Sequence, residues 1–556
     1  MTWLSRLLPQ SKTLRLDPHD VYRRNKQRRR RVTLESLEDR VVLSNVMVTF
    51  DQPSGILTIT PDQFNNQFRI TEMSTTDGGR VKVEALPLVG SVFQTTINNT
   101  SVPFVSWAAV TSIVVNFQGG NDTDRLEIVG PGSGVNTTVR NTTLKLPTAG
   151  AVTNLASLSV SGVNNAGVFS LSTAGALTSA SVSNSTLQGL TIAQTSSTAT
   201  SAVTLSGVTV AGAVNVGLAN GANDRITVSN SAIRGATSLT QGNGVNDEVR
   251  VTGSAIQQLS ITQGAGAGAK AYATNVTLSQ ASPTGIGLRI TQGNGDGNKA
   301  IVTSVVASTL TPPSSSTPPG QIPNIAITQG NGVGDEATVT SSSVPGNISI
   351  TQGNGWNDVA GITNSTAGFV VPISLPVFPT PTPIAGTASI TQGNGTGLTA
   401  GISGGSFNNV FIQQGTATNA PLAPLFPTAN RATVTGVPVY RNITINQNSA
   451  AGTVSGTFAR ILNSPSATGS IAISQAHGDG SSAAVENSSA VAGSVSIAQG
   501  NGAGDVAQVL NAATLSGVAI TQGDGAGDDA QVAGSSATEG DLSITQGDGA
   551  GDKASI

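Results

Sequence analysis

Recurring aspartates near the C-terminal end are the residues whose type and spacing best suit chemistry. Asp505, Asp528 and Asp552 follow one another at intervals of 23 and 24 residues. If each interval is one coil of a stacked repeat, the three carboxylates lie about 5 Å apart. Like charges at that distance repel by roughly 1 kcal/mol even in water. Solvent, Lys553 or a divalent cation must relieve this repulsion, which makes calcium the candidate ligand of residues 500–553.

Two other places extend the candidate calcium site. Asp524 and Asp548 form a second short column beside the first. Upstream, the segment Gly119-Gly120-Asn121-Asp122-Thr123-Asp124-Arg125-Leu126 resembles the calcium-binding nonapeptide Gly-Gly-x-Gly-x-Asp-x-apolar of RTX β-rolls, with Asp122 in place of the third Gly. The resemblance implies that Asp122 and Asp124 are calcium ligands. In RTX repeats the cation is shared between successive turns, so an isolated copy supplies half of the ligand set. The alternative is a plain turn in which Gly takes positive φ and Asn or Asp tolerates it.

The amino-acid composition excludes most other kinds of catalytic and metal-binding site. The 556 residues include no Cys and two His, which excludes thiol nucleophiles, disulfides and thiolate metal sites. The same count leaves almost no material for a zinc centre or a Ser-His-Asp triad. Charged residues are 10% of the chain, aromatic residues are 3%, and Gly contributes 66 residues, which is not the composition of an ordinary globular enzyme. Since no apolar run reaches 18 residues, no transmembrane helix is expected.

Charge divides the chain into a basic tail and an acidic body. Residues 1–45 contain 11 of the 27 Lys and Arg together with 5 acids, and the remaining chain carries more acids than bases. An acidic body has no continuous basic stripe with which to displace counterions from phosphates, so nucleic-acid binding by the body is not expected. Residues 1–45 are interpreted as a disordered, basic targeting segment.

The end of this tail carries a family resemblance. Leu37-Glu38-Asp39-Arg40-Val41-Val42-Leu43 resembles the LEPR-XLL segment near the N-terminus of large bacterial surface and secreted proteins, with Asp39 where the motif has Pro and Val42 where it has Leu. The resemblance covers about ten residues, and the run Arg28 to Arg31 just upstream is similar to the family's usual context. Because that segment is thought to act in sorting or export, it implies an extracytoplasmic bacterial protein, secreted or on the cell surface.

A phrase ending in Thr-Gln and followed by Gly-Asn/Asp-Gly recurs through the body. Its shorter spacings are 22 to 24 residues, and the longer ones contain insertions; the copies are indexed by Gln241, Gln263, Gln292, Gln329, Gln352, Gln392, Gln414, Gln447, Gln475, Gln499, Gln522 and Gln546. Short alternating stretches separated by glycine turns predict an all-β fold, a parallel β-solenoid of the right-handed β-helix type with coils of about 23 residues. A core of Ile, Val, Leu and Ala explains the shortage of aromatic residues.

The repeated Gln itself is a prediction about the core. Alternation places Gln on the same face as the preceding Ile, so a buried Ile implies a buried Gln. An unpaired buried amide costs about 1 to 3 kcal/mol, which favours a ladder in which each Gln bonds to the Gln of the next coil. The alternative is a solvent-facing Gln with no such role.

Three parts of the chain are distinguished by pattern. Residues 1–45 are the targeting segment, residues 46–149 form an all-β leading or cap module, and the β-solenoid occupies residues 150–556. Insertions rich in Pro, Ser and Thr at 303–326, 363–388 and 416–442 are expected to leave the rod at one side, as a binding surface or as surface decoration. A C-terminal cap is not evident, so weak end-to-end self-association is expected.

These features favour a non-enzymatic, secreted or cell-surface protein with a structural or adhesive role. Surface polysaccharide or other matrix proteins are the expected partners, and no cofactor other than calcium is indicated. The alternative is a carbohydrate-active β-helix enzyme, a polysaccharide lyase or hydrolase, which requires clustered acids with Arg or Lys on one face. The repeat supplies the acids but few bases.

Overall fold

The fold is described from a computed structural model. It covers most of the repeat and shorter stretches of the N-terminal half, namely residues 44–62, 66–73, 80–86, 95–98, 104–117, 123–130, 141–145, 154–164, 167–173, 176–279, 286–308, 324–368, 386–417, 429–449, 456–466 and 468–556. All regular secondary structure in these ranges is β-strand. None of the described segments forms a helix long and apolar enough to cross a membrane.

Each coil of the repeat has two long sides and one short side. The strand that ends in the repeated Gln, such as Ala255–Gln263, is followed by the glycine turn and then by a strand such as Lys270–Thr274. A corner and a short strand, Thr277–Ser279 in this coil, lead to the next Gln-bearing strand, Ile286–Gln292. The first kind of strand builds the Gln sheet, and the second kind builds the Asp sheet, named for the aspartates that precede it.

The two long sheets are stacks of parallel strands. The Gln sheet contains Ile56–Pro61, Ser112–Asn116, Asn141–Lys145, Val168–Thr173, Gly189–Gln194, Val214–Leu218, Ala232–Gln241, Ala255–Gln263, Ile286–Gln292, Asn324–Gln329, Ile348–Gln352, Thr387–Gln392, Asn409–Ala417, Ile443–Ser449, Ile471–Gln475, Ser494–Gln499, Gly517–Thr521 and Leu542–Thr545. The Asp sheet contains Gln67–Glu72, Thr123–Val129, Asn154–Ser161, Leu177–Ser183, Ala202–Ser206, Arg225–Ser229, Glu248–Thr252, Lys270–Thr274, Lys299–Thr303, Glu336–Thr340, Val359–Thr363, Thr399–Ser403, Arg431–Thr435, Phe458–Leu462, Ser482–Glu486, Val506–Leu510, Asp529–Ala533 and Lys553–Ser555.

Short strands line the third side of many coils, and four more strands lie at the N-terminal end. The short strands of the third side are Thr186–Leu187, Thr209–Val210, Thr277–Ser279, Val306–Ser308, Ser343–Val344, Thr366–Ala367, Ala513–Thr514 and Ser536–Ala537. Gly332–Val333 and Gly355–Trp356 are also short strands, but they lie in the glycine turn and pair with each other. The N-terminal strands are Ser44–Asp51, Val81–Ala85, Thr95–Ile97 and Phe104–Trp107. Stacked strands about 4.8 Å apart give the Asp sheet a length of roughly 80 Å.

Register along the Gln sheet follows the repeat. Leu239 pairs with Ile261, and Ile261 pairs with Ile290, although the second step spans more residues than the first. Alternate side chains point inward, so that Leu239, Ile261 and Ile290 are fully buried together with Val249 and Val251 of the Asp sheet. Aliphatic side chains, mainly Ile, Val, Leu and Ala, therefore fill the core, and the predicted β-solenoid with coils of about 23 residues is confirmed.

Antiparallel strands cover the N-terminal edge of the stack. Ser44–Asp51 pairs antiparallel with Ile56–Pro61, and Val81–Ala85 pairs antiparallel with Gln67–Glu72. Phe104–Trp107 adds a further antiparallel strand to Val81–Ala85. These strands satisfy the backbone groups of the first coil and cap the edge as the leading module was expected to do.

Parallel coils begin before residue 150, the position at which the repeat pattern predicted their start. Asn154–Ser161 pairs in parallel with Leu177–Ser183 on one side and with Thr123–Val129 on the other. Thr123–Val129 in turn pairs in parallel with Gln67–Glu72. The leading segment therefore contributes coils to the same stack, in addition to its capping strands.

The insertions interrupt the repeat at two different points of the coil. Residues 309–323 and 369–385 lie between a short strand and a Gln-sheet strand, as the sequence predicted. Residues 418–428 instead lie between Asn409–Ala417 of the Gln sheet and Arg431–Thr435 of the Asp sheet, at the position of the glycine turn. The prediction that all three insertions share one side is wrong for the third, because that coil lacks the glycine turn that marks the corner.

Candidate functional site

The repeated glutamines form a continuous ladder inside the Gln sheet. Each side-chain Nε2 donates to the Oε1 of the Gln one coil earlier, as in Gln352 to Gln329 at 2.8 Å and Gln447 to Gln414 at 2.6 Å. Eleven such bonds join the twelve glutamines. From Gln241 to Gln522 these side chains are at most 5% exposed. The predicted amide ladder is confirmed, and the solvent-facing alternative is wrong.

Backbone carbonyls of the turn complete the coordination of each amide. Nε2 of Gln352 also lies 3.2 Å from the carbonyl oxygen of Asp335 and 3.1 Å from that of Val359. The two N–H groups of the amide are thus shared among one side-chain acceptor and two main-chain acceptors. Each Gln therefore fastens its own turn to the turn of the preceding coil.

The column continues upstream of the ladder with one change of chemistry. Leu218 pairs with Gln241 in register and is buried, so the ladder stops there. One coil earlier Gln194 is buried and donates to the hydroxyl of Ser201 at 3.1 Å. Leu218 presents no polar group to the core, so the missing glutamine leaves no unpaired amide at this coil.

Buried aspartates on the other side of the turn form a second ladder. Oδ1 of Asp247 accepts from the backbone N–H of Asp224 at 3.0 Å, and Oδ1 of Asp358 accepts from that of Asp335 at 3.0 Å. Oδ1 of Asp224 accepts from the N–H of Ser201 at 2.7 Å. All four carboxyl side chains are at most 1% exposed. Each carboxyl thus caps a backbone donor of the preceding coil.

Burial perturbs these carboxyls strongly. Loss of solvation raises the pKa of Asp224 and Asp335 to about 6, although backbone hydrogen bonds oppose the shift. Burial likewise raises the pKa of Asp247 and Asp358 to about 7, with a further upward contribution from the preceding aspartate of the column. Burial therefore favours the protonated form of these carboxyl groups at a higher pH than for an exposed aspartate.

Asn and Asp at the exposed tip of the turn form a third ladder in the opposite direction. Oδ1 of Asn331 accepts from the backbone N–H of Asn354 at 2.8 Å, and Oδ1 of Asn354 accepts from that of Asn394 at 2.7 Å. In the last coils Oδ1 of Asp524 accepts from the N–H of Asp548 at 3.2 Å. Here a side chain caps the following coil, whereas the buried aspartates cap the preceding one.

The glycines of the turn allow the coils to stack at this spacing. A Cβ on Gly244 would lie 1.8 Å from the carbonyl oxygen of Gly221 and 2.7 Å from Oδ2 of Asp247. Neither Gly221 nor Gly244 has positive φ. These positions therefore require glycine because neighbouring coils approach closely there, and not because of backbone conformation. Positive φ falls on a later position of the turn, such as Asn246 at 59° or Gly268 at 70°. The turn interpretation predicted positive φ, but it missed the close approach.

The candidate calcium residues are distributed over these ladders. Oδ1 of Asp505 accepts from Ser481, Oδ1 of Asp528 accepts from Asp505, and Oδ1 of Asp552 accepts from Asp528. Asp505 and Asp528 are buried, and successive coils place them in one column as expected. Within the described ranges, no three His, Cys, Asp or Glu side chains are grouped so that they could hold a metal ion.

The RTX-like segment is described only in part. Asp122 lies outside the described residues. Asp124 is fully buried, and its Oδ1 accepts from the backbone N–H of Asn66 at 2.8 Å. Asp124 therefore caps the preceding coil in the same way as the aspartates of the repeat.

The outer face of the Asp sheet carries charged neighbours from successive coils. Arg460 makes a bidentate contact with Glu486, with Nε to Oε1 at 2.9 Å and Nη2 to Oε2 at 2.7 Å. Lys299 contacts Glu336 at 2.7 Å. Arg250 stacks 4.5 Å above the centre of the Tyr272 ring. These bases are engaged with residues of the adjacent strand.

A small internal cavity lies near the N-terminal end of the stack. Its volume is about 10 Å³, and Glu72, Ile128 and Phe169 are among its lining residues. This volume is at the limit for a single water molecule, so the cavity is too small for an organic substrate.

Sequence reasoning missed the capping role of the buried aspartates. The sequence contained evidence for this role, because Asn298 and Asn430 occupy the same repeat position as the aspartates. The side-chain oxygen of Asn can likewise accept a hydrogen bond from a backbone N–H. Comparison with known proteins adds no assignment: no family model, no curated protein and no solved structure matches this chain.

Proposed function

We propose that this chain is a non-enzymatic rod that acts outside the bacterial cell as a structural or adhesive component. The observation that carries the proposal is the Gln ladder, because it commits a polar side chain of every repeat from Gln241 to Gln546 to the neighbouring coil. The buried aspartates and the exposed asparagines are committed in the same way. The repeat therefore uses its polar groups to maintain an extended, regular shape.

The competing function is a polysaccharide lyase or hydrolase on the same scaffold. Such an enzyme needs two carboxyl groups facing a groove, with bases to bind an anionic chain. In this chain Asp247 and Asp358 are buried inside the coil and do not face a groove. Arg460 and Lys299 are paired with acidic residues of the adjacent strand. These placements favour the structural role.

The outer face of the Gln sheet is the proposed adhesive surface. Thr240, Thr262, Thr328 and Thr351 each precede a ladder glutamine, point outward and are exposed, and Thr291 of the same column is half-buried. Hydroxyl groups at the regular spacing of stacked coils suit contact with polysaccharide or with matrix proteins. Co-sedimentation with insoluble bacterial polysaccharide, together with a reducing-sugar assay, separates the two functions. Binding without release of sugar supports adhesion, and time-dependent release of sugar overturns the proposal.

Location outside the cell is the part of the proposal that rests on residues 1–45. We expect protease treatment of intact cells to remove the full-length protein from the cell surface, or fractionation to find it in the medium. Deleting residues 1–45 should retain the product in the cytoplasm. Unchanged export of the deletion variant would contradict the role assigned to the Leu37 to Leu43 segment.

Weak end-to-end self-association belongs to the same proposal. Acidic residues such as Asp541 and Asp548 repel between ends, so association should strengthen with salt because salt screens that repulsion. Light scattering across protein and salt concentration measures this. A mass that stays monomeric at high salt and high concentration would contradict it.

A further inference from the structure

Two pairs of buried aspartates share an arrangement that hydrogen bonding leaves incomplete. The paired aspartates are Asp224 with Asp247 and Asp335 with Asp358, each pair in consecutive coils. In each of them Oδ1 accepts a backbone N–H of the preceding coil. Oδ2 of Asp224, Asp247 and Asp335 is buried and has no hydrogen-bond donor. A buried carboxylate oxygen without a donor is costly, so something must compensate it.

The groups opposite these oxygens are carbonyls. Oδ2 of Asp247 and the carbonyl oxygen of Gly221 lie 2.7 and 1.8 Å from the point where a Cβ of Gly244 would stand. At Gly355 the corresponding distances are 2.3 Å to Oδ2 of Asp358 and 1.9 Å to the carbonyl oxygen of Gly332. A carboxyl oxygen and a carbonyl oxygen therefore both border the same turn glycine, and both are acceptors, so a proton on the carboxyl group would supply the donor that such a pair lacks.

Two asparagines at the same repeat position show which group the site accommodates. Oδ1 of Asn430 accepts from the backbone N–H of Leu398 at 3.1 Å, as the aspartates do, and its Nδ2 donates to the carbonyl oxygen of Gly395 at 3.0 Å. Asn298 accepts from Ala269 at 3.0 Å and donates to the carbonyl oxygen of Gly295 at 2.7 Å. Both amides are buried. The position thus accepts a neutral side chain with one acceptor and one donor, which also describes a protonated carboxyl group.

We propose that the paired aspartates are proton-binding sites. In the folded rod each of these four carboxyl groups holds a proton on Oδ2 and donates a hydrogen bond through it to the carbonyl oxygen of a turn glycine. Removal of these protons leaves buried carboxylates that face carbonyl oxygens, so deprotonation loosens the turn. The rod is then most stable in acid and loses stability as the medium approaches neutrality.

The charged surroundings offer no other compensation. Asp224 and Asp247 face each other, and Asp335 and Asp358 face each other and Asp296. The basic and acidic side chains that follow the column in sequence, among them Arg225 and Glu248, belong to the outer face of the Asp sheet and pair there. In the described part of the chain, none of the ion pairs joins a Lys or Arg to a paired aspartate.

The pH window follows from the direction of the shifts. Burial raises the pKa of Asp247 and Asp358 to about 7 and that of Asp224 and Asp335 to about 6, against about 3.9 in an unfolded chain. Between these values the folded rod binds more protons than the unfolded chain. The stability contributed by the paired aspartates is therefore fully present below about pH 4 and is lost as the pH rises to about 7. Each such carboxyl changes the unfolding equilibrium by up to about tenfold per pH unit within its window.

The test compares urea unfolding of the full chain between pH 4 and pH 8 with that of two opposite variants. The double variant Asp247→Asn/Asp358→Asn is expected to lose much of the pH dependence and to be more stable than wild type at pH 8, because the amide supplies the donor at every pH. The matched control Asn298→Asp is expected to behave like wild type near pH 4 and to be destabilised at least tenfold at pH 8.

Carboxyl titration provides a second, independent readout in the wild-type chain. With ¹³C-labelled aspartate, we expect several carboxyl resonances to titrate near pH 6 to 7, and the double variant serves to assign them. Aspartates that all titrate near 3.9 would overturn the proposal even if a variant failed to fold. Unchanged pH dependence in the double variant would overturn it equally.

Discussion

Nε2 of Gln263 donates a hydrogen bond of 2.8 Å to Oε1 of Gln241, the residue with which it also pairs in strand register. Side-chain and backbone pairing therefore specify the same alignment of the two coils. A slip of one residue would bring Thr262 to the inner face in place of Gln263 and would leave the amides without partners. The ladder thus reinforces the register that the buried apolar face of the Gln sheet already specifies.

Removing one amide from the ladder should destabilise the rod. Gln414→Ala leaves Oε1 of Gln392 and Nε2 of Gln447 without their ladder partner, so we expect a loss of about 1 to 3 kcal/mol in the free energy of unfolding. The control is Gln413→Ala, since Gln413 is half-buried on the outer face and does not belong to the ladder. Urea unfolding followed by circular dichroism measures both. Equal effects of the two substitutions would contradict the ladder's role.

Close stacking of glycines predicts a sharp contrast between two other substitutions. Gly244→Ala places a Cβ 1.8 Å from the carbonyl oxygen of Gly221, so we expect destabilisation of about 1 to 3 kcal/mol or more. Gly217→Ala meets nothing within 4 Å and should change stability by less than about 1 kcal/mol. Thermal unfolding of the two variants is the measurement. A Gly244→Ala protein as stable as wild type would refute the close approach.

Calcium binding at residues 500–553 stays a prediction of the sequence, and the structure now sharpens its test. If calcium binds this column, it should raise the unfolding temperature, because a ligand that binds only the folded rod stabilises it. The rise should disappear when Asp505, Asp528 and Asp552 are replaced by Asn, whose Oδ1 can still accept the backbone N–H that each aspartate now accepts. Calorimetry with added calcium and with added chelator measures both, and the absence of any thermal response to calcium would contradict the prediction.

The ion pairs on the outer face should contribute modestly. Arg460→Ala removes the bidentate contact with Glu486, and because both side chains are partly exposed we expect a loss of no more than about 1 kcal/mol that diminishes at high salt. Arg234→Ala, at an exposed corner, is the matched control and should change the free energy of unfolding by less than about 0.5 kcal/mol. Chemical unfolding at low and high ionic strength distinguishes them. A large, salt-independent loss at Arg460 would mean that packing of its side chain dominates.

The sequence predicted the coil and the ladder because both follow from periodicity. Alternation fixes that Gln352 shares a face with Ile350, and the cost of an unpaired amide then requires a partner at the same phase of the next coil. The leading segment was predicted to be all-β for the same reason, and the structure has strands such as Gln67–Glu72 there.

The buried aspartates could not be placed by that reasoning. Whether Asp247 points to solvent or to the backbone of the preceding coil depends on the offset between stacked turns, which alternation within one coil does not specify. The third insertion was misplaced for a related reason, since the chain between Ala417 and Arg431 lacks the glycine phrase that marks the turn.

The hydrogen bonds of the Gln ladder all point in one direction along the rod. Each Nε2 is directed toward the N-terminal side and each Oε1 toward the C-terminal side, so the side-chain amide dipoles from Gln241 to Gln546 add instead of cancelling. Neighbouring bonds in such a chain also polarise one another. The ladder therefore carries an axial electric polarity independent of the formal charges of the chain, positive toward the coils near Gln241 and negative toward those near Gln546, and this polarity is confined to the part of the rod that the ladder spans.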